Sequence, residues 1–167
     1  MKFEEEKQRL VNLGFTGFIT IGELVANIDV VPPIPGVYVI MRSNASQPEF
    51  LMQGSGGFFK EKNPNVSIDE LERNWVDDTY VLYIGKAGSL KGSATLRSRL
   101  KQYMQFGQGK AVGHYGGRYI WQLQDAKDLM VCWKVILGNE PRDVEKQMIE
   151  EFKVTHESKR PFANLVD

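Results

Sequence analysis

Two charged side chains fall where a purely structural sequence would not put them. In the helical stretch after Thr95, Arg99 follows Leu96 by three residues and precedes Tyr103 by four. It therefore shares the apolar face of Leu96, Leu100, Tyr103 and Met104, or sits at its edge. In the last helix the apolar stripe is Val144, Met148, Ile149 and Phe152, and Glu145 belongs to the same face, three before Met148 and seven before Phe152. Glu and Arg are rarely buried without a partner. An inward carboxylate pairs with a cation, coordinates a metal or shifts its pKa, and a guanidinium offers two-pronged donors to phosphate oxygens. A structural Arg–Glu pair would also satisfy both. Two tyrosines, Tyr38 and Tyr83, each stand in a short strand ahead of a turn, where a core ring with a surface hydroxyl is the ordinary reading. In VLYIGKAGS (81–89) the second of them runs straight into Gly85-Lys86-Ala87-Gly88.

The elements that must position these groups follow from periodicity. Helices are predicted over 3–13 and 20–28. Pro32, Pro33 and Pro35 make a stiff entry to the strand Gly36-Val37-Tyr38-Val39-Ile40, rich in β-branched and aromatic residues. Residues 41–80 are polar, with Gly54-Ser55-Gly56-Gly57 at the centre and a short helix at 67–74, and form an insertion before a second strand at 80–84. A helix over 95–106, a glycine-punctuated loop, strands at 118–123 and 129–137, and a helix over 141–156 opened by Pro141 lead to the tail RPFANLVD. No internal repeat and no second domain is evident.

With 167 residues, 42% of them apolar and 25% charged, the chain suits one ordinary globular domain. No apolar run approaches the roughly 20 residues that span a bilayer, and MKFEEEKQRL is not a signal-type start. The expected compartment is cytoplasmic, with no membrane partner. A lone Cys132 gives no disulfide framework, and two histidines with one cysteine at no ligand spacing give no zinc site. The formal net charge is zero, but Thr79 to Gln124 contains no Asp or Glu while carrying Lys86, Lys91, Arg97, Arg99, Lys101, Lys110, Arg118 and His114. Such a one-signed stretch suits a polyanion, most commonly a phosphate backbone, although a solvated basic helix has the same composition. GHYGGRYIW (113–121) interleaves aromatic and basic residues and reads either as a nucleic-acid contact or as a half-buried hairpin strand. Neither Gly54-Ser55-Gly56-Gly57 nor FGQGKA (106–111) is a phosphate loop.

Taken in order, Gly36-Val37-Tyr38, Tyr83-Ile84-Gly85-Lys86-Ala87, Leu96-x-x-Arg99-Leu100-x-x-Tyr103, Glu145-x-x-Met148-Ile149 and Pro161-Phe162-Ala163-Asn164 resemble the GIY-YIG nuclease family. The resemblance covers residues 36–40 and 81–165. It implies an α+β fold with a small mixed or antiparallel central sheet flanked by helices. Residues 1–35 would be an N-terminal helical extension and 41–80 a long insertion, within one domain spanning 1–167. It implies hydrolysis of DNA phosphodiester bonds at a single Mg²⁺ or Mn²⁺ site. Tyr38 matches the family's first tyrosine, the proposed general base or water-orienting group, and Tyr83 the second, at the mouth of the site. Lys86 falls at an often basic position, Arg99 matches the phosphate-contacting arginine, and Tyr103 a position held by tyrosine or histidine. Glu145 matches the metal-binding carboxylate, and Asn164 the asparagine near the C-terminal end. Three segments are longer than in compact members: the one between GVY and YIG, the one between Lys86 and the Arg99 helix, and the one from Glu145 to Asn164.

These residues would serve the reaction in a definite way. A cation on Glu145 would assist the leaving oxygen, and Arg99 would hold the phosphate. A free tyrosine titrates at about 10, so roughly one in a thousand is ionised at neutral pH. Tyr38 as a base therefore requires nearby positive charge from Lys86, Arg99 or the metal. The glycines after Tyr83 would let DNA approach closely. Lys91, Arg97, Lys101, Lys110, His114 and Arg118 are the expected DNA-backbone contacts. A catalytically inactive nucleic-acid-binding module is the alternative reading.

Overall fold

A computed structural model describes residues 2–166. It is an α+β structure built on a four-stranded antiparallel sheet, ordered β1-β4-β2-β3. The strands are β1 (Thr16–Thr20), β2 (Gly36–Met41), β3 (Val81–Ala87) and β4 (Met130–Val135). Helices α1 (Phe3–Asn12), α2 (Ile21–Ala26), α3 (Ile68–Asn74), α4 (Leu96–Gly107) and α5 (Pro141–Thr155) surround it. Their starts carry local signals. Thr20 and Ser67 accept from Glu23 and Glu70 backbone amides. Thr95 and Ser98 form a reciprocal capping box, and Pro141 occupies the first turn of α5.

Every residue of β2 is buried, because the strand is central and both faces of the sheet are covered. On one face Tyr38 and Ile40 pack with Leu96, Leu100, Tyr103, Met104 and Phe106 of α4. On the other, Val37, Val39 and Met41 pack with Ile149 and Phe152 of α5 and Leu10 of α1. The alternation of β2 thus sends Tyr38 to the α4 side.

Three expectations require correction. The N-terminal extension is not wholly helical, since Thr16–Thr20 pairs with β4 as an edge strand. A bulge between Gly17 and Ile19, with Gly17 at φ +99°, interrupts the alternation that would announce it. Residues 118–123 do not form a strand: Tyr115–Gln122 is 3₁₀-helical. Tyr119, Ile120 and Trp121 are all buried in succession, so packing on several sides replaces the two-sided pattern of a strand. Finally, β3 does not end at Ile84 but continues through Gly85 and Lys86 to Ala87.

The insertion does not project. Its backbone bonds to the end of α4 and to the segment that follows: Gly57 N–H donates to Phe106 O, and Ser55 N–H to Trp121 O. The Gln122 amide group donates to Leu51 O and Val66 O and accepts from Val66 N–H. Phe50 and Trp75 cover Phe162 of the tail. Residues 41–80 therefore buttress the two elements that flank the glycine-rich loop, the end of α4 and the 3₁₀ helix.

Candidate active site

Tyr38 lies opposite Gly85 on β3 and opposite Trp133 on β4. Its ring occupies the space that a side chain at 85 would take: a Cβ there would stand 2.3 Å from Tyr38 Cζ and 2.6 Å from its Oη. Gly85 is thus required inside the strand by the tyrosine facing it. The expectation that this glycine opens the backbone to DNA is corrected accordingly.

The Tyr38 hydroxyl meets His114 Nε2 at 3.0 Å, within a cluster where Tyr38 is 1% and His114 3% exposed. The His114 imidazole stacks on Tyr103, with ring centres 3.8 Å apart and planes 7° from parallel. Tyr103 is wholly buried, and its hydroxyl donates to Gly117 O at 2.6 Å. That bond ties α4 to the 3₁₀ helix. Gly117 is needed for it, since a Cβ would fall 2.5 Å from the Tyr103 oxygen. Burial, with the Arg99 charge adding to it, pushes His114 down to about 3, so the ring is neutral. It is not a surface contact for DNA. Burial likewise pushes the Tyr38 phenol well above its usual value, with Arg99 opposing to a lesser degree. Among the protein's own groups, the positive charge that Tyr38 would need as a base is outweighed by desolvation.

Outside this buried layer stand half-exposed groups. Tyr83 is opposite Ile40, so it shares the α4 face with Tyr38, and the two rings lie 6.0 Å apart. Burial and then the negative charge of Glu145 push its phenol up to about 12, against the influence of Tyr38 and Arg99. Arg99 is half-buried and donates to Gln102 Oε1 and, at 3.4 Å, to Gly113 O. Glu145, in the second turn of α5, is half-buried; burial raises its carboxyl pKa while the Lys86 and Arg142 charges lower it. Arg99 and Glu145 form no ion pair with each other among the described residues. The purely structural pairing open to them in the sequence is therefore not made. Lys86 is exposed on β3 opposite Val37, on the α5 side.

Asn164 sits outside the polar cluster but supports it. Its side chain accepts from Ile84 N–H at 2.9 Å and donates to Ile84 O at 2.8 Å, while Ala163 N–H donates to Leu82 O. The tail thereby satisfies the open edge of β3 between Tyr83 and Gly85. Of the expected DNA contacts, Lys91, Lys101 and Lys110 are exposed. Arg97 instead donates to Val31 O and Asp29 O, fastening α4 to the N-terminal extension. The Arg118 guanidinium stacks over the Tyr115 ring at 4.0 Å and donates to Tyr115 O. The site member that sequence reading misplaced is His114. Its only signal is a lone histidine in a glycine-rich loop, which does not specify the tyrosine it meets.

No group of three or more His, Cys, Asp or Glu side chains converges among the described residues, so any cation here would rest on few protein ligands. No helix among them is long and apolar enough to cross a membrane. Comparisons with family models, with curated proteins and with solved structures find no match for this chain.

Proposed function

We propose that the chain is a metal-dependent endonuclease of GIY-YIG type that hydrolyses DNA phosphodiester bonds. The observation that carries the reading is that Tyr83, a half-exposed phenol on β3, stands within electrostatic reach of both Arg99 of α4 and Glu145 of α5, themselves half-exposed. Arg99 and Glu145 lie close enough that both bias the ionisation of Tyr38 and Tyr83, yet they do not neutralise each other by contact. In this reading Arg99 grips the phosphate, Lys86 and Arg142 offset its charge, and Tyr83 orients the attacking water. Tyr38, being 1% exposed, acts behind Tyr83 rather than on substrate. DNA would lie across the exposed Lys91, Lys101 and Lys110.

The residues fit one hard divalent cation. Glu145 is a desolvated carboxylate with no ion pair among the described residues, and Mg²⁺ commonly takes one or two carboxylates with waters and substrate phosphate. Bound there, Mg²⁺ or Mn²⁺ would supply Lewis-acid help to the leaving oxygen.

One observation favours the second reading, an inactive nucleic-acid-binding module: both phenols are pushed up, so neither is a ready base. Nicking of supercoiled plasmid with Mg²⁺ or Mn²⁺, beside EDTA and Glu145→Ala controls, separates the two. Metal-dependent nicking lost in the variant supports the nuclease. Salt-sensitive DNA binding without cleavage of plasmid, single-stranded or branched DNA overturns it in favour of the binder.

A further inference from the structure

We propose that His114 is a positioning residue for Tyr38: as the Nε2–H tautomer it donates to the phenolic oxygen and obliges the Tyr38 hydroxyl to donate in turn toward Tyr83. The inference rests on the nuclease reading for its catalytic meaning, although the hydrogen-bond direction stands apart from it.

The geometry begins with the 3.0 Å contact between Tyr38 Oη and His114 Nε2 in a cluster closed to solvent. A neutral imidazole carries one N–H, so either nitrogen could hold it. The other nitrogen decides the matter: among the described residues Nδ1 is buried and makes no hydrogen bond of good geometry, with only a minor influence from the residue's own backbone. A proton on Nδ1 would leave a buried N–H unpaired, which proteins rarely tolerate, whereas a proton on Nε2 leaves only an unused lone pair. Stacking on Tyr103, itself locked to Gly117 O, holds the ring in the plane that keeps Nε2 on the Tyr38 oxygen.

Once Nε2–H donates to Tyr38, the phenolic proton must find another acceptor. Tyr83 is the neighbouring phenol on the same sheet face, one register step along, and the effect of the pair on ionisation, Tyr38 held up and Tyr83 drawn down, is that of Tyr38 donating to Tyr83. The chain of donation runs His114 to Tyr38 to Tyr83 and reaches the phenol that borders solvent. It fills one acceptor position of the Tyr83 oxygen and leaves its own proton directed outward, which sets how that oxygen meets water and phosphate. The insertion at 41–80, by bracing the elements on either side of the loop that carries His114, acts on the site through this chain.

The test has two arms. In the metal-free wild-type protein, nitrogen–proton correlation NMR of His114 reads the tautomer directly. A neutral ring protonated on Nε2 from pH 8 to pH 5 is expected; a proton on Nδ1 overturns the proposal whatever the enzyme does. In the cleavage assay, His114→Leu is expected to lower kcat by about 10–100-fold with KM nearly unchanged, the usual effect of removing a group that orients a first-contact residue. His114→Gln, whose amide can still donate, should recover most of the loss. A glutamine variant no better than leucine, or an effect confined to KM, overturns the positioning role. If wild-type protein cleaves nothing, the nuclease reading fails while the NMR arm still decides the hydrogen bond.

Discussion

Gly85→Ala tests the packing that sets the site. A methyl group at this position would lie 2.3 Å from Tyr38 Cζ, 2.6 Å from its hydroxyl oxygen and 2.7 Å from Cε2. Neither backbone can retreat. β2 is clamped between β3 and β4, and Ile84, beside Gly85, is held on the other edge by Asn164. The ring must therefore shift within a filled core, so the variant should lose about 1–3 kcal/mol by overpacking. For a chain of this size each kcal/mol is about 2–4 °C in Tm. Tyr38→Ala should be costlier, about 3–5 kcal/mol, because it opens a cavity. In the double variant the added methyl has no ring to strike, so the penalty of Gly85→Ala should vanish and the cycle should show coupling of about 1–3 kcal/mol. Urea denaturation of the four proteins measures it. Additive losses, or a Gly85→Ala protein as stable as wild type, would refute the account of why a glycine stands there.

Three further outcomes are expected. Asn164→Ala should lose about 1–3 kcal/mol by stranding Ile84 N–H and C=O, and hydrogen exchange at the Ile84 amide should accelerate more than at Val39 in the sheet centre. His114, neutral when folded with its pKa near 3, gains a proton only on unfolding as pH falls below about 6.5. Its stabilising contribution, complete above that value, should shrink by about 2 kcal/mol between pH 7 and pH 5, and His114→Gln should flatten that part of the stability profile. Because burial raises the Glu145 pKa, its charged form detracts from stability once pH passes the ordinary carboxylate range. In EDTA, Glu145→Gln should raise the denaturation midpoint at pH 7, with the gain narrowing toward pH 4, while plasmid nicking is lost. An unchanged midpoint would remove the evidence that this carboxylate is held at a desolvation cost.

Much of the framework was legible because its signals are local. Thr95, Ser67 and Pro141 mark helix starts through their own hydrogen bonds or fixed φ, and the 3.6-residue spacing of Leu96, Leu100 and Tyr103 names the buried face of α4. The same spacing identified Arg99 and Glu145 as charges turned toward the interior, and both are half-buried. What spacing could not show is which groups meet across long separations. Tyr38 and His114 are 76 positions apart, and their contact depends on the α4–loop connection and on the insertion that braces it. The 3₁₀ path of Tyr115–Gln122 was likewise hidden, since aromatic and β-branched residues suit a strand equally well until Tyr103, Leu51 and Val66 supply their partners. Sequence by itself determined the helices, three of the four strands and the charges that face inward. Tertiary structure alone decided that Tyr38 is sealed behind Tyr83, because burial is a property of what packs on a side chain from elsewhere in the chain.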